Sequence, residues 1–171
     1  ERLWEQVAER GMPRILFVNR IDREEADPVV PVDGIAEGLG IRGIHVQLPI
    51  GYGESFRGVV DLVRMKAVCG DGNGNDAEEE IPEDLQERAK AMRVNLMENV
   101  AETQDALLEK YLEGQELTSE ELLGGLREGV RSGKLFPVLY GSATRGIGVA
   151  SLLDAVVEWL PSPLEEPAAE G

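Results

Sequence analysis

The chain has 171 residues, 42% of them hydrophobic, which suffices for one domain, or a domain carrying a smaller subdomain, around a real core. Its 33 acidic and 17 basic residues give a net charge of −16, and this argues against direct DNA binding, because affinity for the phosphate backbone is built from clustered lysine and arginine. The single cysteine, Cys69, excludes an internal disulfide, and the sequence has neither an apolar run long enough to span a bilayer nor a basic-then-apolar leader, so a soluble, cytoplasmic protein is expected.

The first element is an amphipathic helix in "ERLWEQVAERG", where Leu3, Trp4 and Val7 share a face and Gly11 can end it. The chain opens at Glu1 without methionine and is expected to be a piece of something longer. "RILFVN" is a continuous apolar run of the kind buried on both faces of a parallel sheet, and it reads as a central strand. A loop follows at 23–31, then a helix from Pro31 with Val32, Ile35 and Leu39 inward, stopped by Gly40. "IHVQLPIG" and "FRGVVDLVRMKAV" are rich in β-branched residues and predict two antiparallel strands, with "GDGNGND" at 70–76 as a polar loop.

From Asp76 the chain is expected to turn helical and acidic. Residues 76–121 hold 15 acidic against 4 basic side chains, most of the net charge. Leu85, Ala89, Met92, Leu96 and Val100 keep a helical spacing and leave Glu83, Asp84, Glu87 and Glu98 to solvent. Thr118 and Glu121 form a capping box for a further helix carrying Leu122, Leu126 and Val130, in which Gly124 and Gly125 each cost about 1 kcal/mol relative to alanine. "LFPVLYGS" is a second apolar strand, Gly141 to Gly148 its following loop, and "VASLLDAVVEWL" an amphipathic helix stopped by "PSP". The outer segments thus read as one α/β layer and the middle as an α+β insertion.

Ligands of open α/β sheets sit beyond the carboxyl ends of the strands, and both apolar strands end there in polar loops, Asn19 to Asp22 and Gly141 to Thr144. An amide that donates and accepts, beside a carboxylate that only accepts, suits the ring N–H and exocyclic amino group of guanine. A plain turn and cap is the better explanation of Asn19 and Asp22 when these four residues are taken alone.

"FVNRID", "GSA" at 141–143, "QLPIGYGESFRGVVDLVRMKA", "LLEKYLEGQEL" and "LDAVVEWLPSP" together resemble translational GTPases of the elongation factor G type along almost the whole chain. The resemblance implies the second half of a P-loop-GTPase-type parallel sheet with an inserted α+β subdomain. Residues 1–41 and 135–163 would be nucleotide-domain parts, 42–134 the insertion, and 164–171 a linker. It further implies that Asp22 binds the guanine ring nitrogens and Asn19 stabilises the loop and contacts the base. Ala143 would donate its backbone N–H to the base carbonyl while Ser142 braces the loop. Arg20 stands where the family usually has lysine, so a guanidinium would lie over the base. The resemblance also implies GTP or GDP with Mg²⁺ in the parent protein, and as partners the ribosome and its stalk protein, the latter met through Glu83, Asp84 and Glu87.

The phosphate loop G-x-x-x-x-G-K-[ST] does not occur in these residues; "GVRSGKL" at 129–135 has one residue too few between its glycines and Leu135 in place of the hydroxyl. No catalytic or metal-binding residue is therefore expected here, and the piece alone should neither hydrolyse GTP nor bind nucleotide tightly. "DGNGND" fails as a calcium loop because Asp76 replaces its glycine, His45 is the only histidine and reads as a strand-face residue, and Cys69 reads as an idle thiol. Alternatives are a non-enzymatic acidic interaction module on the same scaffold, or a release-factor or tetracycline-protection relative. The strand at 14–19 is expected to lack a neighbour and to promote self-association through its open edge.

Overall fold

The computed structural model describes residues 2–23, 32, 34, 38–41, 43–71 and 76–162. The helix expected from Pro31 to Leu39, the tip of the 70–76 loop and the 164–171 linker lie wholly or largely outside them. Among the described residues three strands form a parallel sheet in the order β1 (Leu16–Val18), β7 (Phe136–Tyr140), β2 (Gly43–His45). Four form an antiparallel sheet in chain order, β3 (Gln47–Ile50), β4 (Gly58–Asp61), β5 (Lys66–Gly70) and β6 (Asp76–Glu79). The helices are α1 (Arg2–Glu9), α2 (Glu83–Ala101), α3 (Asp105–Leu112), α4 (Ser119–Arg131) and α5 (Val149–Trp159). This is the expected α/β sheet with an inserted α+β part.

The parallel pairing brings two distant segments level: Leu16, Phe17 and Val18 face Val138, Leu139 and Tyr140. The apolar run Phe136–Tyr140 is the central strand and is buried throughout. Leu16–Val18, expected to be central, is only half-buried and pairs with β7 alone among the described residues, so it forms an edge. Gly43–His45, which the sequence placed at the start of the insertion, instead completes the parallel sheet through Ile44 opposite Pro137. Val46 is the single residue between the two sheets, and its N–H still reaches the Val138 carbonyl.

The insertion departs from expectation in two places. "GVVDLVRMKAV" is not one strand: Asp61 Oδ1 accepts from the N–H groups of Val63 and Arg64 at 2.8 and 2.9 Å, and Met65 takes a positive φ of 53°. The chain there reverses into a hairpin. Asp76–Glu79, expected to begin the acidic helical region, is an edge strand whose exposed carboxylates blunt that edge. The turn at 62–65 is then fastened to the helices, since Arg93 donates to the carbonyls of Leu62 and Val63 at 2.6 Å each and Ser119 Oγ to Val63 at 2.9 Å.

The helical spacing holds in α2, where Ala89, Leu96, Met97, Val100 and Ala101 are buried, while Glu83 and Asp84 lie in the first turn, where negative charge suits the helix dipole. α3 is a separate helix that the acidic sequence did not reveal. The capping box is present: Thr118 Oγ1 accepts from Glu121 N–H at 3.2 Å, Glu121 Oε2 accepts from Thr118 N–H at 2.7 Å, and Lys110 of α3 binds the same carboxylate at 2.7 Å. Gly125 is explained by packing, because a Cβ there would stand 2.4 Å from Val100 Cγ1, so the glycine lets α4 lie close on α2. Nothing in the structure explains Gly124, which faces open space. At the other end Trp4 of α1 packs on Phe136 with ring centroids 5.5 Å apart, and the Arg14 guanidinium covers both rings.

Most of the core joins β2, β3 and β4 to α2, α4, Ala155 and Trp159. A smaller cluster of Ile21, Val32, Phe56, Val59, Val138, Tyr140 and Ile147 lies beneath the carboxyl ends of β1 and β7. Among the described residues no helix is long and apolar enough to cross a membrane.

Candidate functional site

Because Val18 is level with Tyr140, the loops that leave β1 and β7 emerge side by side. Three hydrogen bonds join them. Gly141 N–H donates to Val18 O at 3.0 Å, Ile21 N–H to Gly141 O at 3.4 Å, and Ala143 N–H to Asn19 Oδ1 at 3.0 Å. Asn19 Oδ1 also accepts from Arg20 N–H at 2.8 Å, so this one oxygen fixes its own turn and the facing loop. Among the described residues the amide nitrogen of Asn19 makes no hydrogen bond.

Arg20 has φ +64°, a conformation that costs a non-glycine residue about 1 kcal/mol or more and persists only where neighbours enforce it. The enforcing groups are the Asn19 oxygen on its N–H and the Arg23 N–H on its carbonyl at 3.1 Å, while its side chain is exposed. Ile21 is 1% exposed and plugs the loop into the smaller core cluster. Its neighbour Asp22 is thereby turned to the opposite side. Asp22 Oδ1 is shielded from water and has no hydrogen-bond partner among the described residues. The Ser142 hydroxyl beside it holds the carboxyl below the usual carboxylate range, helped by its own backbone N–H, Arg145 and Arg23 and opposed by burial.

The second loop is a closed miniature hairpin. Ser142 N–H donates to Ile147 O at 2.9 Å and Ile147 N–H to Ser142 O at 3.1 Å, with Gly146 and Gly148 at φ +67° and +76°. Ser142 is fully buried, and its hydroxyl lies 3.1 Å from that of Thr144. Ala143 and Thr144 are exposed at the tip, and the Thr144 N–H takes no hydrogen bond among the described residues.

The structure thus brings Asn19, Arg20, Asp22, Ser142 and Ala143 together at one end of the parallel sheet. It changes one detail, since the Ala143 N–H expected to face a ligand already donates to Asn19, and the Thr144 N–H is the open donor beside it. Sequence reasoning missed Thr144, and it missed Arg145, whose Nη1 donates to the Phe56 carbonyl at 3.0 Å. Only the two glycines at 146 and 148 signalled that this loop would be tight. Glu83, Asp84 and Glu87 are exposed on α2, where Glu87 accepts from Lys90 at 2.7 Å.

The rejected residues are also placed. "GVRSGKL" is the end of α4, with Gly133 at φ +69° and Lys134 N–H returning to Gly129 O, a helix stop rather than a phosphate cradle. His45 accepts from or donates to the Tyr140 hydroxyl at 2.6 Å with the rings stacked. Cys69 is half-buried beside Arg57, and burial pushes its thiol up. Among the described residues no three His, Cys, Asp or Glu side chains are grouped to hold a metal ion.

An acceptor-only carboxylate next to an amide and a backbone N–H can hydrogen-bond the polar edge of a planar ligand. The family model described as the Elongation factor Tu GTP binding domain matches residues 1–162. The chain belongs to this family of translational GTPases. A crystal structure from Thermus thermophilus is similar as well, with 36% sequence identity, a TM-score of 0.84 and 96% of this chain covered. The chain spans 24% of the length of that protein. The family implies GTP or GDP as the ligand of its parent proteins.

Proposed function

We propose that this chain is the base-reading half of the GTP-binding domain, with its insertion, of an elongation factor G-type protein whose whole polypeptide hydrolyses GTP on the cytoplasmic ribosome during translocation or recycling. The observation that carries this reading is the Ala143 N–H to Asn19 Oδ1 hydrogen bond, which zips the loops after β1 and β7 together so that the Asp22 carboxylate and the Ser142–Thr144 turn meet at one end of the sheet. Asp22 accepts the ring N–H and the exocyclic amino N–H of guanine. The Asn19 amide nitrogen addresses the remaining ring edge, the Thr144 N–H donates to the base carbonyl, and the Arg20 stem covers the ring. Bound GTP supplies the scissile phosphoanhydride and, with Mg²⁺, the charge that its hydrolysis must manage. No residue of this chain takes that part, because the sequence holds no phosphate loop.

The division of labour has a measurable consequence. Calorimetry should give tight one-to-one GDP binding to the intact polypeptide, while the 171-residue chain alone should bind GDP weakly or not at all, because the phosphate contacts are most of the charge-assisted hydrogen bonding. Submicromolar GDP binding by the chain alone would contradict this assignment of roles.

The acidic first turns of α2 are the proposed face for the ribosomal stalk protein. Reversing Glu83, Asp84 and Glu87 to lysine should weaken stalk-protein binding by about tenfold at low salt and by less as salt is raised, as expected of exposed charges. Unchanged binding at low salt would remove these residues from the interface.

A further inference from the structure

The base-reading loops are held from below by a turn of the insertion. In the 3-10 turn Gly53–Ser55 the Gly53 N–H donates to the Ile21 carbonyl at 2.8 Å. At its other end the Phe56 carbonyl accepts from Arg145 Nη1 at 3.0 Å. One short segment therefore grips the first loop through an N–H and the second through a C=O. Its own position is fixed, because Phe56 is fully buried against Ile21, Val138, Tyr140 and Ile147, and Ser55 Oγ bonds back to the Tyr52 carbonyl at 2.7 Å. Arg145 is half-buried, so water competes less for its guanidinium than at an open surface.

We propose that Arg145 is a positioning residue for base recognition, holding the Ser142–Thr144 turn in register with the Asp22 carboxylate by anchoring it to the Phe56 carbonyl of the insertion. The proposal rests on the guanine reading of the site. Arg145 touches no base; it acts through Ser142, Ala143 and Thr144, the three residues before it. Its charge has a second effect. Among the described residues, the groups that face Asp22 are the Ser142 hydroxyl, Arg145 from the second loop and Arg23 from its own, and both arginines favour the ionised carboxylate that guanine requires. Removing Arg145 both frees the turn and lets Asp22 take up a proton at a higher pH.

The test is the affinity of the intact polypeptide for a fluorescent GDP analogue as a function of pH in Arg145→Ala, Arg145→Gln and Arg145→Lys. At neutral pH Arg145→Ala should lose about tenfold, the size of one hydrogen bond from a charged donor, and Arg145→Lys should recover most of it. The acid limb of binding should move to higher pH in Arg145→Ala and Arg145→Gln but not in Arg145→Lys, a change that a merely structural arginine would not produce. Wild-type affinity and an unmoved acid limb in Arg145→Ala, with binding abolished in Asp22→Ala, would overturn the proposal and leave the guanine site standing. Binding that survives in Asp22→Ala would instead overturn the guanine reading. Should Arg145→Ala fail to fold, Arg145→Gln and Arg145→Lys decide: equal affinity and equal acid limbs in the two overturn the proposal.

Discussion

Replacing Asp22 by asparagine should lower GDP affinity by about a hundredfold or more and raise affinity for xanthosine diphosphate, the size expected when a buried site built around specific hydrogen bonds meets the wrong pattern of donors. The charge changes, but the pattern of donors matters more. Guanine presents two N–H donors on the edge that Asp22 meets, and a carboxylate accepts both. An asparagine amide accepts one and turns its own N–H toward the other, leaving donor against donor. Xanthine has a carbonyl in place of the exocyclic amino group, so the same amide finds an acceptor for its N–H. The substitution is severe because a donor set against a donor leaves both without a partner at the base edge. Competition titrations on the intact polypeptide measure both affinities. Because the folded carboxyl lies below the ordinary value of 3.8, guanine preference in the wild type is lost only as pH falls through that lowered value. Selectivity should therefore be flat from neutrality down to about pH 5.

Gly148→Ala should be the most damaging single-methyl change near the site. Gly148 has φ +76°, and a Cβ there would stand 2.4 Å from the Tyr140 carbonyl oxygen and 3.2 Å from Gly141 Cα. Both neighbours are backbone, so no flexible side chain can yield. The residue closes the Ser142–Ile147 pairing, and the hairpin must open or the end of β7 must shift. We expect a loss of about 3 kcal/mol, seen as a fall of roughly 8 °C in melting temperature, together with weaker GDP binding. Gly133→Ala is the control: it shares a positive φ of 69° but faces open space, so it should cost only the backbone term of about 1 kcal/mol. Equal losses in the two variants would show that the close approach at Gly148 has no consequence.

What could be read from the sequence, and what could not, follows from where each signal resides. The strand Phe136–Tyr140 was legible because burial on both faces demands an uninterrupted apolar run. Leu16–Val18 carries a similar run that by itself reads as central; its edge position followed from the resemblance, which implied a missing neighbour, and agrees with the strand order among the described residues. Asp76–Glu79 was illegible because an acidic tetrapeptide has no strand preference of its own; its conformation is imposed by pairing with β5. The hairpin inside "GVVDLVRMKAV" hid for a related reason, since its turn is made by Asp61 capping two N–H groups and by Met65 in a left-handed conformation, without glycine or proline to mark it.

The site divides in the same way. Asn19, Asp22, Ser142 and Ala143 could be named from "NRID" and "GSA" and the family those motifs resemble, and the structure places them at one end of the sheet. Asn19 meeting Ala143 across 124 positions follows once the parallel register is known. Arg145 could not be named, because its acceptor is the backbone carbonyl of Phe56, and a carbonyl leaves no trace in sequence. The occupied N–H of Ala143 was invisible because its acceptor, Asn19 Oδ1, comes beside it only through the parallel register of β1 and β7.

The central claim is that this end of the sheet reads guanine, and the most direct measurement is displacement of a fluorescent GDP analogue from the intact polypeptide by GDP, inosine diphosphate and adenosine diphosphate. Inosine keeps the ring N–H and the carbonyl and lacks only the exocyclic amino group, whereas adenine sets an acceptor against the Asp22 carboxylate and an amino group against the Thr144 N–H. The expected order is GDP first, inosine diphosphate weaker by about tenfold for one lost charge-assisted hydrogen bond, and adenosine diphosphate without measurable competition. Adenosine diphosphate competing as well as GDP would contradict the assignment of these loops to guanine.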